Sequence, residues 1–216
     1  MKIGGLNRSI GAGSKVGCCL ALDLKRKDGD SFMDRSVYGH LCTNYGSKWQ
    51  LDGRYFNGVD NYVDCGSGAS LAITRWTLEL EANRLADSGT YERMISKSDS
   101  GALDYWCQVL PDDTLEAGFM DTGGGGRFIS TTWKVPLKQF KCCTATFDGV
   151  NIHINVDGDL KVASGNLSAY TPRATAKPFW IGRLKTSYKF NGLIGKVIID
   201  NFADYTPRIL SRSIGG

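Results

Sequence analysis

The sequence predicts an all-β chain, an antiparallel sandwich or barrel, and three observations carry that prediction. Apolar and polar residues alternate with a period of two in one segment after another. Turn-forming residues separate these segments at short intervals. Helical periodicity is almost absent, apart from a short stretch from Thr206 to Arg212, where Thr206 can cap and Pro207 suits the first helical position.

The clearest strand is Asn151-Ile152-His153-Ile154-Asn155-Val156, with Ile152, Ile154 and Val156 on one face and the polar residues on the other. Asp157-Gly158 follows and Leu160-Lys161-Val162 continues beyond it, which predicts a hairpin on a primed turn. Upstream, Cys143 to Phe147 runs into Asp148-Gly149, so three strands should meander in sequence. Trp76, Leu78, Leu80 and Ala82 alternate with Thr77, Glu79, Glu81 and Asn83; Tyr105, Cys107 and Val109 alternate with Trp106, Gln108 and Leu110. Leu193 to Ile199 reads as a last, well-buried strand. No linker and no internal repeat interrupts the pattern. Residues 1–15 are rich in Gly and Ser and read as an arm, leaving 16–216 as one domain.

Composition narrows the function classes. With 216 residues the chain can bury roughly 70% of its unfolded surface, so it needs no disulfides to fold. Its 42% hydrophobic and 22% charged residues exclude a disordered chain. The 27 Gly against 5 Pro suit tight turns. No apolar run approaches the ~20 residues of a membrane span. The run from Val16 to Leu22 lacks a signal peptide's apolar core and cleavage site, so neither export signal nor membrane insertion is expected. A net charge of +4 is far from a nucleic-acid-binding balance. Its distribution is uneven: residues 1–133 carry 14 basic and 17 acidic side chains (net −3), and residues 134–216 carry 12 and 5 (net +7). The basic part can face an acidic glycan or an acidic partner, or simply be solvated.

Seven Cys is an odd number, so at least one thiol stays unpaired within the chain. Cys18-Cys19 and Cys142-Cys143 lie in apolar stretches, where the role of small buried hydrophobe fits best. No Cys/His spacing suits zinc, and no nucleophile elbow or dinucleotide fingerprint is present.

Several segments also carry a resemblance. Tyr55-Phe56-Asn57-Gly58-Val59-Asp60-Asn61-Tyr62-Val63-Asp64-Cys65-Gly66 resembles the F-D-G-V-D-D-Y-V signature of laminin G-like, concanavalin A-like jelly rolls. In the same order, Asp34 to His40 resembles a family loop, Met94-Ile95-Ser96-Lys97 its I-V-S-K strand, and Thr146 to Gly149 with Val156-Asp157-Gly158 its hairpin. Trp180 to Arg183, followed by Phe190 to Ile194, resembles the closing motif. The match spans roughly residues 17–211. It implies two antiparallel sheets packed face to face, one of them concave, with loops along the rim.

Three kinds of site follow. Glu79 and Glu81 share a strand face about 6.6 Å apart, a separation that glycosidases use for acid and nucleophile. Some concanavalin A-like glucanases resemble this, but with a third carboxylate, where this chain has Asn83; a solvated polar face explains both glutamates equally. The family often holds a structural calcium ion, which makes Asp34, Asp60 and Asp64 candidate ligands. Lys196 stands where the closing motif usually supplies an acid, which opposes a divalent cation, and turn formation is the alternative. For a sugar, Trp106 and Gln108 share one strand face, Asp121 to Arg127 forms a loop with Gly123 to Gly126 inside it, and Trp133 follows. Aromatic platforms and planar hydrogen-bonding groups suit pyranoses, although core packing is the commoner use of a Trp.

The function expected is a non-catalytic exterior protein, a virion decoration or tail component carrying a carbohydrate-binding-type jelly roll and made without a signal peptide. A free-standing lectin module and, more remotely, a glycoside hydrolase using Glu79 and Glu81 are the alternatives. Glycine-rich ends gain order when something ties them down. Residues 2–15 and 206–216 are therefore expected to dock on further copies or other virion subunits, with Lys2, Arg8, Arg208 and Arg212 in the contacts, and a cell-surface glycan is the expected ligand.

Overall fold

The computed structural model describes residues 17–99, 103–184 and 187–203. The proposed arm, the Thr206–Arg212 segment, and Lys2, Arg8, Arg208 and Arg212 lie outside the described residues. Within them the chain forms strands joined by turns, with a short 3-10 turn at Ala69–Leu71. The strands are β1 (Cys18–Asp23), β2 (Ser31–Met33), β3 (Leu41–Tyr45), β4 (Lys48–Gln50), β5 (Gly53–Asn57) and β6 (Tyr62–Asp64). They continue with β7 (Trp76–Arg84), β8 (Glu92–Ser98), β9 (Leu103–Val109), β10 (Thr114–Met120) and β11 (Gly126–Lys134). The last are β12 (Phe140–Phe147), β13 (Ile152–Val156), β14 (Asp159–Ala163), β15 (Phe179–Ile181) and β16 (Asn191–Asp200).

Two antiparallel sheets make a sandwich, as the sequence predicts. The first runs β14-β13-β12-β7-β16-β5-β4, with β1 also paired to β16. The second runs β11-β10-β9-β8-β15-β6-β3-β2. The meander β12-β13-β14 closes on Asp157 and Gly158, whose φ angles of 51° and 91° are those a primed turn requires.

The inner faces are those that the alternation assigns. Trp76, Leu78 and Leu80 of β7 and Ile152, Ile154 and Val156 of β13 meet Tyr105, Cys107 and Val109 of β9 and Leu115, Ala117 and Phe119 of β10. Rings lock the sheets together: Trp76 and Tyr105 are 6.4 Å apart, Phe119 and Phe147 4.6 Å. Each fully buried Leu, Ile, Val or Phe contributes about 1.5–3 kcal/mol. All seven cysteines are buried and free; Cys19 and Cys143 belong to the core, while Cys18 and Cys142 point to the other side of their strands.

Two β-bulges decide which side chains reach the outer faces. In β16 the register slips between Ile194 and Lys196, so Ile194, Val197 and Ile199 all face inward and Lys196 turns outward. In β8 it slips between Arg93 and Ile95; Met94 and Ile95 both enter the core, and Arg93 and Ser96, three residues apart, reach the same outer face.

A buried ion cluster ties the end of β7 to the β9–β10 turn. The Arg84 guanidinium bonds Glu92 at 2.8 Å, Asp87 at 2.6 Å and Asp113 at 2.6 Å. Burial works against its charge, but the bonds to Glu92 and Asp113 outweigh it and raise its pKa. Among the described residues no helix is long and apolar enough to cross a membrane.

Candidate functional site

The outer face of the second sheet carries the densest polar and aromatic grouping. Strand register lines up Phe128, Gly118, Trp106, Ser96, Trp180 and Asp64 across β11, β10, β9, β8, β15 and β6. Large and small side chains alternate along this row. Trp106 and Trp180 are two strands apart, about 9.5 Å at normal strand spacing, with the small Ser96 between them. Gly118 has no room for a side chain, since a Cβ there would lie 2.4 Å from Arg127 O and 2.5 Å from Phe128 Cβ. Its bareness lets the Trp106 and Phe128 rings meet above it at 6.4 Å.

Glu116, on β10, organises the neighbouring row. One carboxylate oxygen, Oε1, accepts from Trp106 Nε1 at 2.9 Å and from Gln108 Nε2 at 2.5 Å. The other accepts from Ser130 Oγ at 3.3 Å. Trp106 and Gln108 therefore stand side by side on this face, as their spacing predicts, and are held in fixed orientation.

Two arginines complete the face. Arg93, paired across from Gln108, lies between the rings of Trp106 and Tyr188, at 5.4 and 5.8 Å from their centres. It is only 3% exposed, and burial, partly offset by Glu116, lowers its pKa to about 10. Arg183 lies over Tyr62 at 3.1 Å and Trp180 at 5.1 Å, and its carbonyl accepts from Ser96 Oγ. Several buried polar atoms here make no hydrogen bond: Arg93 Nε and Nη1, Arg183 Nε, Trp180 Nε1 and Gln108 Oε1. Tyr91, Tyr188 and Phe128 form an exposed aromatic rim.

The remaining sugar-site candidates fall elsewhere. Trp133 packs against the core. Arg127 follows Gly126 and precedes Phe128, and adjacent strand residues point to opposite faces. It pairs with Asp121 at 2.7 Å and lies 3.6 Å over Tyr170. Asp121 also accepts from Gly125 N at 2.8 Å, which lowers its pKa first of all, with help from Arg127. The glycine loop thus wraps an internal ion pair.

The candidate metal ligands are dispersed. The Asp34 carboxylate accepts three backbone N–H groups, from Ala21, Ser36 and His40. Asp60 accepts from the amides of Asn57 and Asn61, and Asp64 from Gly66 N. Among the described residues no three His, Cys, Asp or Glu side chains gather as metal ligands. A carboxylate ringed by N–H donors, as Asp34 is, orders a loop and does not fit a calcium ion.

Glu79 and Glu81 occupy the outer face of the other sheet. Each is taken by a lysine: Lys196 Nζ is 2.5 Å from Glu79 Oε1, and Lys25 Nζ 2.7 Å from Glu81 Oε1. Glu79 is 2% exposed. Sequence reasoning missed Arg93, Glu116, Trp180, Arg183 and Tyr188 on this outer face of the second sheet. Trp180 and Arg183 sit within the closing motif, which was the available signal; Arg93 and Glu116 needed the register.

Comparison with known proteins agrees with this architecture. The family model for the concanavalin A-like lectin/glucanases superfamily (Laminin_G_3) matches residues 57–203. Among solved structures, the binding domain of Botulinum neurotoxin serotype G superposes with a TM-score of 0.70 at 10% identity, over 87% of this chain and 48% of that one. Domain 4 of AbnA, a GH43 extracellular arabinanase from Geobacillus stearothermophilus solved with arabinotriose, superposes at 0.66 and 14% identity, over 87% of this chain and 93% of that one. Trypanosoma rangeli sialidase in complex with sialic acid gives 0.66 at 16%, over 90% of this chain and 32% of that one. This chain therefore spans about half of the neurotoxin domain and a third of the sialidase, and at these identities the likeness is one of fold. No curated protein is matched by sequence.

Proposed function

The chain belongs to the concanavalin A-like lectin/glucanases superfamily, and from that premise we propose a non-catalytic carbohydrate-binding protein of an exterior surface, such as a virion decoration or tail component. The observation that carries the reading is the row on the second sheet, with Trp106 held by Glu116 and standing in line with Trp180 and Phe128. A pyranose offers an apolar face to the exposed Phe128 ring of that row and its hydroxyls to the polar edge beside it, while Trp106 and Trp180, 4% and 8% exposed, hold the row in place. The solved arabinanase domain with arabinotriose, of which the likeness covers 93%, gives the fold a precedent for a sugar ligand.

The pairing of Glu79 and Glu81 with lysines supports a non-catalytic reading. A glycosidase needs two carboxyl groups open to the scissile bond, and both are here engaged in ion pairs.

The test is a glycan array with the full chain, in calcium and in a chelator, beside an assay for released reducing ends. Binding to a defined glycan, equal in both buffers and without hydrolysis, is the expected result. Hydrolysis lost in Glu79→Gln or Glu81→Gln would replace the reading with a glycoside hydrolase. No binding by the folded chain would leave a purely structural role. Assembly through residues 2–15 and 206–216, with further copies or other virion subunits, is proposed alongside. Light scattering of a chain lacking the first 14 residues checks it, the expected result being a folded domain that no longer assembles.

A further inference from the structure

The buried polar atoms of the ligand face are not a neutral set. Four of the five without a hydrogen bond are donors, on Arg93, Arg183 and Trp180, and only Gln108 Oε1 is an acceptor. A buried guanidinium is costly unless an acceptor meets it. Glu116 offsets part of that cost for Arg93 through its charge but does not bond it, since its oxygens are taken by Trp106, Gln108 and Ser130. Arg93 and Arg183 form no ion pair among the described residues. Both instead lie against aromatic rings, the arrangement that holds a planar cation in place while leaving its edge for an anion.

We infer that this face binds an acidic saccharide, with Arg93 and Arg183 donating to its anionic group and the exposed rings of Tyr188 and Phe128 at its edge, while Trp106 and Trp180, 4% and 8% exposed, back the arginines. The inference rests on the carbohydrate-binding reading above and narrows it. Charge-assisted bonds from arginine to an anion are roughly twice as strong as neutral ones, so these donors discriminate an acidic sugar from its neutral counterpart. Tyr188, whose ring lies over Arg93, is itself 38% exposed, and turning that side chain is the step that uncovers the Arg93 guanidinium. The basic half of the chain contributes Arg183 and also Lys189, whose backbone bridges to Arg93.

The experiment is calorimetric titration of the full chain with matched pairs: trigalacturonate against its methyl ester, sialyllactose against lactose, and galactose 6-sulfate against galactose. The expected result is binding of at least one acidic member about tenfold or more tighter than its neutral partner. Arg93→Gln and Arg183→Gln should each remove that preference. The carboxylate and sulfate pairs tell the two kinds of anion apart. Trp180→Phe, which keeps a ring and loses the donor, gives a second variant should an arginine substitution fail to fold, and is expected to weaken the acidic member alone. Equal binding of both members of every pair would overturn the inference and leave a lectin for neutral sugars. Acidic binding untouched by all three substitutions would also overturn it. Binding of no member of any pair would overturn the inference as well; the glycan array then decides separately whether the carbohydrate-binding reading stands.

Discussion

Trp106 donates its indole N–H to Glu116 Oε1 at 2.9 Å, and the same oxygen receives the Gln108 amide at 2.5 Å. One buried carboxylate thus orients two neighbours on the outer face of the second sheet. Glu116→Ala orphans both donors, each at about 1–3 kcal/mol, and frees the Trp106 ring. The expected outcome is a lowered unfolding midpoint together with lost glycan binding. Glu116→Gln keeps an acceptor oxygen and should retain most of the stability. Urea unfolding of both variants checks this, and equal losses would show that charge, not hydrogen bonding, is what Glu116 supplies.

Gly118 separates the rings of Trp106 and Phe128. Gly118→Val places a Cβ against the Arg127 carbonyl and Phe128 Cβ, atoms of the adjoining strand that cannot swing aside. Overpacking of this kind costs about 1–3 kcal/mol. The expected outcome is a displaced aromatic row, seen as a changed near-ultraviolet circular dichroism signal with the far-ultraviolet strand signal retained.

Arg84→Ala leaves Glu92, which is 0% exposed, without its cation. Breaking a buried pair from one side costs about 3–5 kcal/mol. Removing an acid instead, as in Asp87→Ala, leaves Arg84 with Glu92 and Asp113 and should cost far less, because Asp87 is surface-exposed. Denaturant midpoints rank the two variants, and the reverse order would show that the cluster is not the brace described here.

The buried thiols make the fold sensitive to alkali. Burial raises Cys19 to about 11 and Cys18, Cys107 and Cys142 to about 12, from 9.0, and lifts Cys65 and Cys143 as well. A raised folded-state pKa means that the unfolded chain releases these protons first. The stabilisation is complete below about pH 9 and is lost as pH rises toward 12, at up to about 1.4 kcal/mol per pH unit for each thiol. Lys97, lowered by burial to about 8, acts oppositely between pH 8 and 10.5, and Arg93, lowered to about 10, does so above pH 10, but the raised thiols outnumber them. Melting temperature should therefore fall steeply above pH 9, and a flat profile to pH 11 would show that the thiols do not control it.

The inner faces were legible because burial on one side of a sheet imposes a period of two, which Trp76-Leu78-Leu80 and Ile152-Ile154-Val156 display directly. The candidate site was legible only in part. Trp106 and Gln108, two residues apart on one strand, could be placed together, whereas Arg93 and Ser96 are three apart, and strict alternation sends them to opposite sides. The Met94 bulge reverses that. Trp133 misled for the opposite reason: large aromatic residues are recognisable in a sequence, but which side of the strand they take depends on register slips such as the one between Thr114 and Glu116 on the partner strand. Trp180 lies on a three-residue strand, too short for alternation to be read.

By itself the sequence determined the all-β class, the Asp157-Gly158 hairpin, the inward residues of the long strands and the family motifs, because each is encoded by neighbours a few positions apart. Tertiary structure alone decided that β8, β9, β10 and β15 lie side by side, that Glu116 serves Trp106 and Gln108, and that two arginines share their face with two tryptophans. Those relations join residues up to about ninety positions apart. They depend on strand order, register and bulges, which local alternation leaves open because a slip of one residue exchanges the two faces of a strand.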